Sequence, residues 1–260
     1  MSLAVDISNW GGELSPETVR AWKGDRPLLG HWPDGSEIRG EPISRVIVGV
    51  SRYTSIARQQ LLAIHNESLP TEVYCYFYWG QDPGVQPAYV RSAIAGIPVQ
   101  RLWLDFEDKL APKDDPGAVR QWIRECINAG KTAGIPVGIY TGWWWWTVWP
   151  DNTTEFSDYP LWVATYDERP DLVFPTFGGW TKATMKQYTD TTEVGGYSVC
   201  RDWYEENAMP EEEMEEKLDR NILLDRWAGL IQSNDDKLIE QVYWEMQYVR
   251  RLADLPVIKT

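Results

Sequence analysis

Two carboxylates spaced two residues apart on one apolar segment are the residues best suited to acid–base chemistry. Asp105 and Glu107 stand in Leu-Trp-Leu-Asp-Phe-Glu-Asp. Because side chains alternate along a strand, both carboxylates are predicted to share one face with Trp103. The opposite face is predicted to carry Leu102, Leu104 and Phe106. Burying two such charges costs free energy unless chemistry or charge pairing compensates. The pair therefore indicates a site where chemistry or charge pairing compensates, because a carboxylate beside another has its pKa raised and can hold a proton.

Two further aspartates are predicted at strand ends. Asp6 lies in Val-Asp-Ile-Ser-Asn-Trp and Asp202 in Val-Cys-Arg-Asp-Trp-Tyr. A single aspartate at a strand end is more often a cap or a loop hydrogen-bonding group than a catalyst. Four acids that meet in one pocket indicate function, because perturbed carboxylate clusters concentrate in active sites. Asp108, by contrast, is expected to be solvated.

The elements that position these acids alternate between strand and helix in the first half of the chain, which predicts a parallel sheet. The later strands are separated by Pro-, Gly-, Asp- and Thr-rich stretches without helical period. The fold class is therefore α/β, a TIM-like (β/α) barrel with a helix-poor second half, whose strand carboxyl ends form the active-site face. Strands are predicted at 3–7, 45–50, 72–79, 101–107, 136–141, 160–165, 184–189 and 197–202, and helices from 16 and at 55–66, 85–95 and 116–133.

Residues 208–260 differ in kind from the predicted barrel at 1–207. Two apolar stripes with helical spacing, separated by Ser233-Asn234-Asp235-Asp236, predict a C-terminal helical hairpin with one apolar face. Docking on the barrel and docking on another subunit, which would make a homo-oligomer, both remain open.

Composition excludes several classes of function. The net charge of -14 repels phosphate backbones, so no nucleic-acid partner is expected. No apolar run is long enough to span a bilayer. The two histidines are far apart in sequence and the three cysteines form no Cys-x-x-Cys, so we expect buried free thiols and neither a metal nor a cofactor.

The first residues, Met-Ser-Leu-Ala-Val-Asp, lead directly into a strand and carry no signal-peptide pattern. The sequence thus predicts either a missing upstream segment or synthesis in the cytoplasm with release by another route, as for a phage-encoded lysin.

Sixteen Trp and thirteen Tyr exceed the needs of a core of this size. Aromatic faces also stack on the C–H faces of sugars, and a minority of these rings is assigned to that role. In the run Trp143-Trp144-Trp145-Trp146, one or two rings are expected to reach a substrate and the others to cover the barrel rim. The candidate substrate contacts are Tyr76, Tyr78, Tyr140, Trp143, Trp162 and Gln187.

Taken together, these motifs resemble the family 25 glycoside hydrolases, the Chalaropsis-type lysozymes. The resemblance covers about residues 1–205 and runs through the opening Val-Asp-Ile-Ser-Asn-Trp-x-Gly, Leu-Asp-Phe-Glu, Gly-Ile-Tyr-Thr-Gly at 138–142, Leu-Trp-Val-Ala-x-Tyr at 161–166, Gln-Tyr-Thr at 187–189 and Asp202. The second strand lacks the family's Lys-x-Thr-Glu-Gly-like sequence, the last motif reads Asp-Trp-Tyr rather than Asp-x-Asn, and the loop at 24–44 is long.

The resemblance implies an enzyme that hydrolyses the β-1,4 bond between N-acetylmuramic acid and N-acetylglucosamine in bacterial peptidoglycan. It implies Glu107 as general acid. Asp105 would stabilise the cation or orient the substrate's N-acetyl group, and direct attack and substrate assistance both remain open. Asp6 and Asp202 would tune this pair. The alternatives are a non-catalytic glycan-binding or phage-particle structural protein on the same barrel, and a hydrolase of another amino sugar polymer.

Overall fold

The computed structural model describes residues 2–24, 28–31, 37–39 and 42–204. The helical hairpin predicted at 208–260 lies outside the described residues, together with the domain boundary after residue 207 and the subunit contact proposed for it. In the part of the chain that is described, no helix is both long and apolar enough to cross a bilayer.

Eight strands of the described chain close into a barrel, since the last of them pairs back to the first. Neighbouring strands run parallel except for the closing strand, Tyr197–Tyr204, which is antiparallel to both of its neighbours. The predicted TIM-like barrel is confirmed. In the order in which they pair, its strands are β1 (Ser2–Ile7), β4 (Ile43–Gly49), β5 (Thr71–Tyr76), β6 (Leu102–Asp105), β7 (Val137–Gly142), β8 (Leu161–Ala164), β9 (Met185–Gln187) and β11 (Tyr197–Tyr204).

Helices cover the first half of the barrel, and two of them begin at capping side chains. Ser15 and Asp115 accept hydrogen bonds from backbone N–H groups in the first turns of the helices Pro16–Lys23 and Pro116–Lys131, and a proline follows each cap. The helices are α1 (Pro16–Lys23), α2 (Thr54–Asn66), α3 (Val85–Ile94) and α4 (Pro116–Lys131).

The second half has few helices, as predicted. Between β7 and β8 the chain forms only the short helix α5 (Trp143–Trp146), and the described segments after β8 contain no helix. Three short strands were not predicted from the sequence. β2 (Leu28–His31) and β3 (Glu37–Arg39) form a hairpin in the long first loop, and β10 (Thr192–Val194) pairs with β11.

The two faces of the strands enter two separate clusters. Leu102, Leu104 and Phe106 pack outward against the helices, whereas Trp103 packs inside the barrel. A Cβ on Gly138 of β7 would lie 2.4 Å from the ring of Trp103, so the glycine leaves the space that this indole fills. Large interior rings of this kind fill the barrel interior below the carboxyl ends of the strands.

Candidate active site

Strand β6 delivers the carboxylate pair to the top of the barrel. Asp105 is its last residue, and the chain stays extended beyond it because the Phe106 N–H donates to the Tyr140 carbonyl at 3.0 Å. Phe106 is buried in the outer core, so its two neighbours face the opposite way. Both Asp105 and Glu107 line a pocket of about 230 Å³.

Several predicted site residues meet in this pocket. Asp6 enters from β1, Tyr140 from β7, Trp162 from β8 and Gln187 from β9. Since these strands are parallel neighbours around the barrel, their carboxyl ends converge on one opening. The pocket wall at and next to β11 is formed by Thr191, Ser198, Val199 and Cys200.

Asp105 is the most strongly perturbed member of the pair. It is 4% exposed, and its Oδ1 has no hydrogen-bond partner among the described residues. Burial raises the pKa of Asp105 well above its ordinary value, and the nearby charges of Glu107 and Asp6 raise it further. A buried acceptor without a donor, on the wall of a pocket, is suited to a polar group of a ligand.

Glu107 lies nearer the solvent than Asp105 and is half-buried. Burial raises its pKa, and the ammonium of Lys109 opposes that shift. A carboxyl with a raised pKa holds its proton at milder pH, which is what a general acid requires.

A chain of hydrogen bonds links Asp6 to the pocket rim. The Nε2 of Gln187 donates to Asp6 Oδ2 at 2.6 Å, and the Tyr140 hydroxyl donates to Gln187 Oε1 at 2.7 Å. The hydroxyls of Tyr140 and Tyr166 are 3.2 Å apart. These bonds fix the orientation of the Gln187 amide, and so they hold the Asp6 carboxylate in place.

Asp202 does not sit at the carboxyl end of a parallel strand, contrary to the sequence prediction. Its strand is antiparallel, and Asp202 pairs with Ala4 and Gln187, one layer below the level of Asp6. It is fully buried and accepts from Trp162 Nε1 at 2.8 Å, outside the pocket lining.

The side chains of Asp202 and Asp6 shift each other's pKa, and Asp202 Oδ2 has no other hydrogen-bond partner among the described residues. Two ionised carboxylates only accept, so a direct hydrogen bond between them requires a proton on one of them. Burial raises the pKa of Asp202 well above its ordinary value, with the charge of Asp6 as the next cause, which favours Asp202 as the protonated partner. Burial raises the pKa of Asp6 to about 6, while the bonds from Gln187 and Asp202 oppose the shift.

The remaining predicted aromatic contacts lie around the pocket rather than in its lining. Tyr78 falls beyond β5, which ends at Tyr76, and their rings contact each other at 4.6 Å between centroids. Tyr78 and Trp143 are each about half exposed. Of the tryptophan run, Trp145 and Trp146 are fully buried, so they cover the rim and do not reach solvent.

Two tyrosines of the site were missed by sequence reasoning. Tyr74 lines the pocket, and its ring contacts Trp162 edge to face at 5.9 Å. Tyr166 follows β8 with a positive φ of 50°, which turns its hydroxyl towards Tyr140. Tyr74 had a usable signal, since it shares a strand face with Tyr76, but the left-handed backbone of Tyr166 has no signature in the sequence.

The expectation that Asp108 is solvated was wrong. Asp108 is 5% exposed and accepts from two backbone N–H groups, those of Trp79 at 2.7 Å and Leu110 at 3.0 Å. The hydrogen bond from Trp79 therefore connects the loop after Glu107 to the loop after β5. Cys75 and Cys126 are buried free thiols, as expected, whereas Cys200 differs from the expectation because it is partly exposed at the pocket wall.

The acids are not arranged as a cation site. Among the described residues, no three His, Cys, Asp or Glu side chains are grouped so that they could hold a metal ion.

The pH dependence of stability provides a test of the Asp6 environment. An aspartate with a pKa of 3.8 when unfolded and about 6 when folded binds more protons in the folded state between these values. Its stabilising contribution is therefore present below about pH 4 and is lost as the pH rises through 6. We expect the melting temperature of Asp6→Asn, relative to wild type, to rise steadily from about pH 4 to pH 7. A constant difference across that range would contradict the assigned environment.

Comparison with known proteins places the chain among carbohydrate hydrolases. A sequence model described as glycosyl hydrolases family 25 matches residues 5–197. Counting factor 50 of Dictyostelium discoideum is 35% identical over 112 residues, which are 42% of this chain and 37% of that protein. A probable GH family 25 lysozyme 3 of the same organism is 31% identical over 126 residues, 47% of this chain and 26% of that protein. The chain thus spans well under half the length of these two relatives.

Solved structures share the fold. A muramidase from Trichobolus zukalii superposes with a TM-score of 0.57 at 20% identity, covering 83% of this chain and 97% of that one. At this identity the likeness concerns the barrel and not its chemistry.

Proposed function

The chain belongs to glycosyl hydrolases family 25, and on that premise we propose that its pocket hydrolyses bacterial peptidoglycan. The bond proposed is the β-1,4 linkage between N-acetylmuramic acid and N-acetylglucosamine. The observation that carries the proposal is the entry of Asp105 and Glu107 into one pocket from one strand, each with its pKa raised by burial. Glycoside hydrolysis requires two carboxyl groups in different protonation states.

Glu107 is the proposed general acid. Its proton passes to the glycosidic oxygen as the bond from that oxygen to the anomeric carbon breaks, and the bonding electron pair stays with the leaving sugar. Its position nearer the solvent supports this role, because the leaving sugar must depart through the pocket opening. Glu107 then accepts a proton from the water that completes hydrolysis.

Asp105 is the proposed partner of the substrate's acetamido group. Its unpaired Oδ1 is suited to accept the amide N–H, which would turn the acetamido oxygen towards the anomeric carbon. That oxygen forms the new bond as the glycosidic bond breaks, and water later opens the resulting ring. The negative charge of Asp105 stabilises the positive charge that develops on the sugar and its acetamido group.

Substrate binding would also place the proton where the reaction needs it. In the free protein the more deeply buried Asp105 retains a proton more readily than Glu107. An amide N–H that donates to Asp105 stabilises its charged form and lowers its pKa. A sugar ring over Glu107 excludes water and raises the pKa of that carboxyl further. Both effects move the proton towards Glu107.

The other two acids act through this pair. The hydrogen bond from Gln187 holds Asp6 in place, and the charge of Asp6 raises the pKa of Asp105. Asp202 carries a proton, and that proton allows the Asp6 carboxylate to lie against Asp202. Tyr74, Tyr140 and Trp162 present ring edges and hydroxyls to the bound sugar. The exposed rings of Tyr78 and Trp143 are suited to stack on neighbouring sugars of the strand.

Analysis of the products tests the proposal. Purified peptidoglycan is incubated with the protein, the new reducing ends are reduced with borohydride, and the sugar alcohols are identified. We expect the alcohol of muramic acid to accumulate. The alcohol of glucosamine as sole product would assign the other bond, and sedimentation with the wall without new reducing ends would support a binding protein. Chitin as a parallel substrate distinguishes a hydrolase of another amino sugar polymer.

A further inference from the structure

The middle residue of β9 is a lysine that is completely buried. Its neighbours Met185 and Gln187 face the barrel interior and the pocket, so side-chain alternation turns Lys186 to the outer face of the strand. There Lys186 is 0% exposed. A buried ammonium group is tolerated where carboxylates pair with it, because desolvation disfavours its charge. Lys186 therefore depends on the segment that covers it.

Both carboxylates that pair with Lys186 belong to the segment after β8. The Lys186 ammonium donates to Asp167 Oδ2 at 2.8 Å and to Asp171 Oδ1 at 2.7 Å. The two aspartates are each about one third exposed, so they cover the ammonium from the solvent side. Residues 165–184 contain no helix, and these ion pairs hold the loop on β9 where a helix is missing. We call Lys186, Asp167 and Asp171 the β9 clamp.

The loop under the clamp adopts backbone conformations that are rare for residues with a side chain. Tyr166 has a φ of 50° and Glu168 a φ of 58°, and they lie on either side of Asp167. Such conformations cost free energy and persist where the surrounding contacts impose them. The Glu168 N–H donates to the Tyr188 carbonyl at 2.8 Å, and the clamp adds the two ion pairs. These contacts offset the strain of the loop next to the pocket.

Tyr166 is the residue through which this loop reaches the pocket. Its hydroxyl lies 3.2 Å from that of Tyr140, and both Tyr140 and Gln187 line the pocket. The Tyr140 hydroxyl uses its single proton on Gln187 Oε1, so it can only accept from Tyr166. The Gln187 amide in turn donates to Asp6. The proton of Tyr166 is thus directed towards Tyr140, and the lone pairs of its half-exposed oxygen remain for another donor.

The hydroxyl of Tyr166 is also within electrostatic reach of the proposed general acid. Burial raises the pKa of Tyr166, and the charge of Glu107 is a further cause of the same shift. A sugar whose glycosidic oxygen lies at Glu107 carries hydroxyl and amide N–H groups, which are the donors that an acceptor oxygen requires. Tyr166 is therefore suited to accept a hydrogen bond from that sugar.

We propose that Lys186 is a positioning residue, and that the β9 clamp holds the loop after β8 so that the Tyr166 hydroxyl accepts a hydrogen bond from the bound sugar. This inference rests on the proposed function, since the sugar is the one cleaved in the pocket. An apolar residue at position 186 would be buried equally well but would not bind the two aspartates, and the loop would lose the contacts that hold Tyr166. The competing interpretation is that the clamp only stabilises the fold.

A double-mutant cycle between Lys186→Met and Tyr166→Phe separates these interpretations. Tyr166→Phe should lower kcat/KM on soluble glycan strands by roughly twofold to tenfold, the effect of one hydrogen bond, and mainly through KM because the contact forms before the bond breaks. Lys186→Met should cause a similar decrease alone and little further decrease in the Tyr166→Phe background. An equal factor in both backgrounds overturns the positioning role, whatever happens to the melting temperature.

Asp167→Asn tests the same idea if Lys186→Met does not fold. The amide keeps the oxygen that accepts from the Arg169 N–H at 3.1 Å but replaces the one that accepts from Lys186. The decrease in kcat/KM should again be absent in the Tyr166→Phe background. Arg169→Gln is the matched control, since the largely exposed Arg169 pairs with Asp171 at 3.1 Å in the same loop. It should match wild type, and an equal loss there would overturn the assignment to Lys186.

Fluorine NMR of 3-fluorotyrosine at position 166 provides a measurement that does not depend on cleavage. In wild type and Arg169→Gln the resonance should have the same shift, that of a ring held by its neighbours. In Lys186→Met it should move towards the shift of free 3-fluorotyrosine. An unchanged resonance in a folded Lys186→Met protein overturns the inference. A resonance that moves in a protein without hydrolytic activity supports the clamp, and the proposed function alone then fails.

Discussion

Glu107→Gln is expected to lower kcat on peptidoglycan by roughly a hundredfold to ten-thousandfold, the range attributed to general acid catalysis. The amide keeps the size and shape of the side chain but has no proton acidic enough to transfer to the glycosidic oxygen. Substrate affinity should change little, because the loss concerns the transition state. The release of reducing ends, measured at several pH values, gives kcat and KM separately.

The same variant should retain its fold. Glu107 is half-buried with a raised pKa, so replacing it removes a charge that the folded state disfavours, and the melting temperature should not fall. Glu125→Gln is the matched control, since Glu125 is an exposed residue of α4. It should leave both activity and melting temperature unchanged. Undiminished hydrolysis by a folded Glu107→Gln protein would remove Glu107 from the mechanism.

Asp105→Asn should lower activity by roughly a hundredfold or more while it raises stability at neutral pH. Asp105 is buried, its Oδ1 has no partner among the described residues, and its pKa is raised well above the ordinary range. At neutral pH the folded state therefore bears the free-energy cost of either protonating or burying this carboxylate, and only the reaction uses the group. Asparagine has the same shape without that charge, and each kcal/mol gained should raise the melting temperature by about 2–4 °C.

Asp108→Asn provides a control of opposite sign three residues further along the chain. Asp108 is equally buried, but each of its oxygens accepts a backbone N–H. An asparagine offers only one oxygen, so one N–H loses its acceptor, at a cost of roughly 1–3 kcal/mol. If thermal unfolding showed both variants destabilised, the idea that Asp105 is kept for chemistry at the expense of stability would be wrong.

The barrel was predictable because its signals are local and repeated. Alternation of apolar strands with helical patterns is visible in the first half of the chain, and the helices predicted from 16 and from 116 begin where the structure has them. The pair Asp105 and Glu107 could be assigned to one face because side-chain alternation continues past the end of β6.

What sequence reasoning missed depends on contacts between distant segments. The direction of β11 is set by its pairing with β1 and β9, and that direction decides that Asp202 lies beneath Asp6 and not beside it. Asp108 can be buried because two backbone N–H groups donate to its carboxylate, and a sequence pattern does not reveal such contacts. Among the four consecutive tryptophans, only the fold decides which indoles find carbonyl partners, as Trp145 and Trp146 do.

The antiparallel closing strand has a topological consequence for protein engineering. Ser2 pairs with Tyr204, so the first and last residues of the barrel are neighbours across one strand spacing, about 4.8 Å. Both lie at the rim opposite the pocket, because the pocket occupies the carboxyl ends of the parallel strands. In a chain shortened to end at Tyr204, a short linker could join these two residues, and new termini could open in the turn at 132–135 before β7. Circular permutation of this kind would change the order of the segments along the chain, and neither the linker nor the new termini would lie at the pocket.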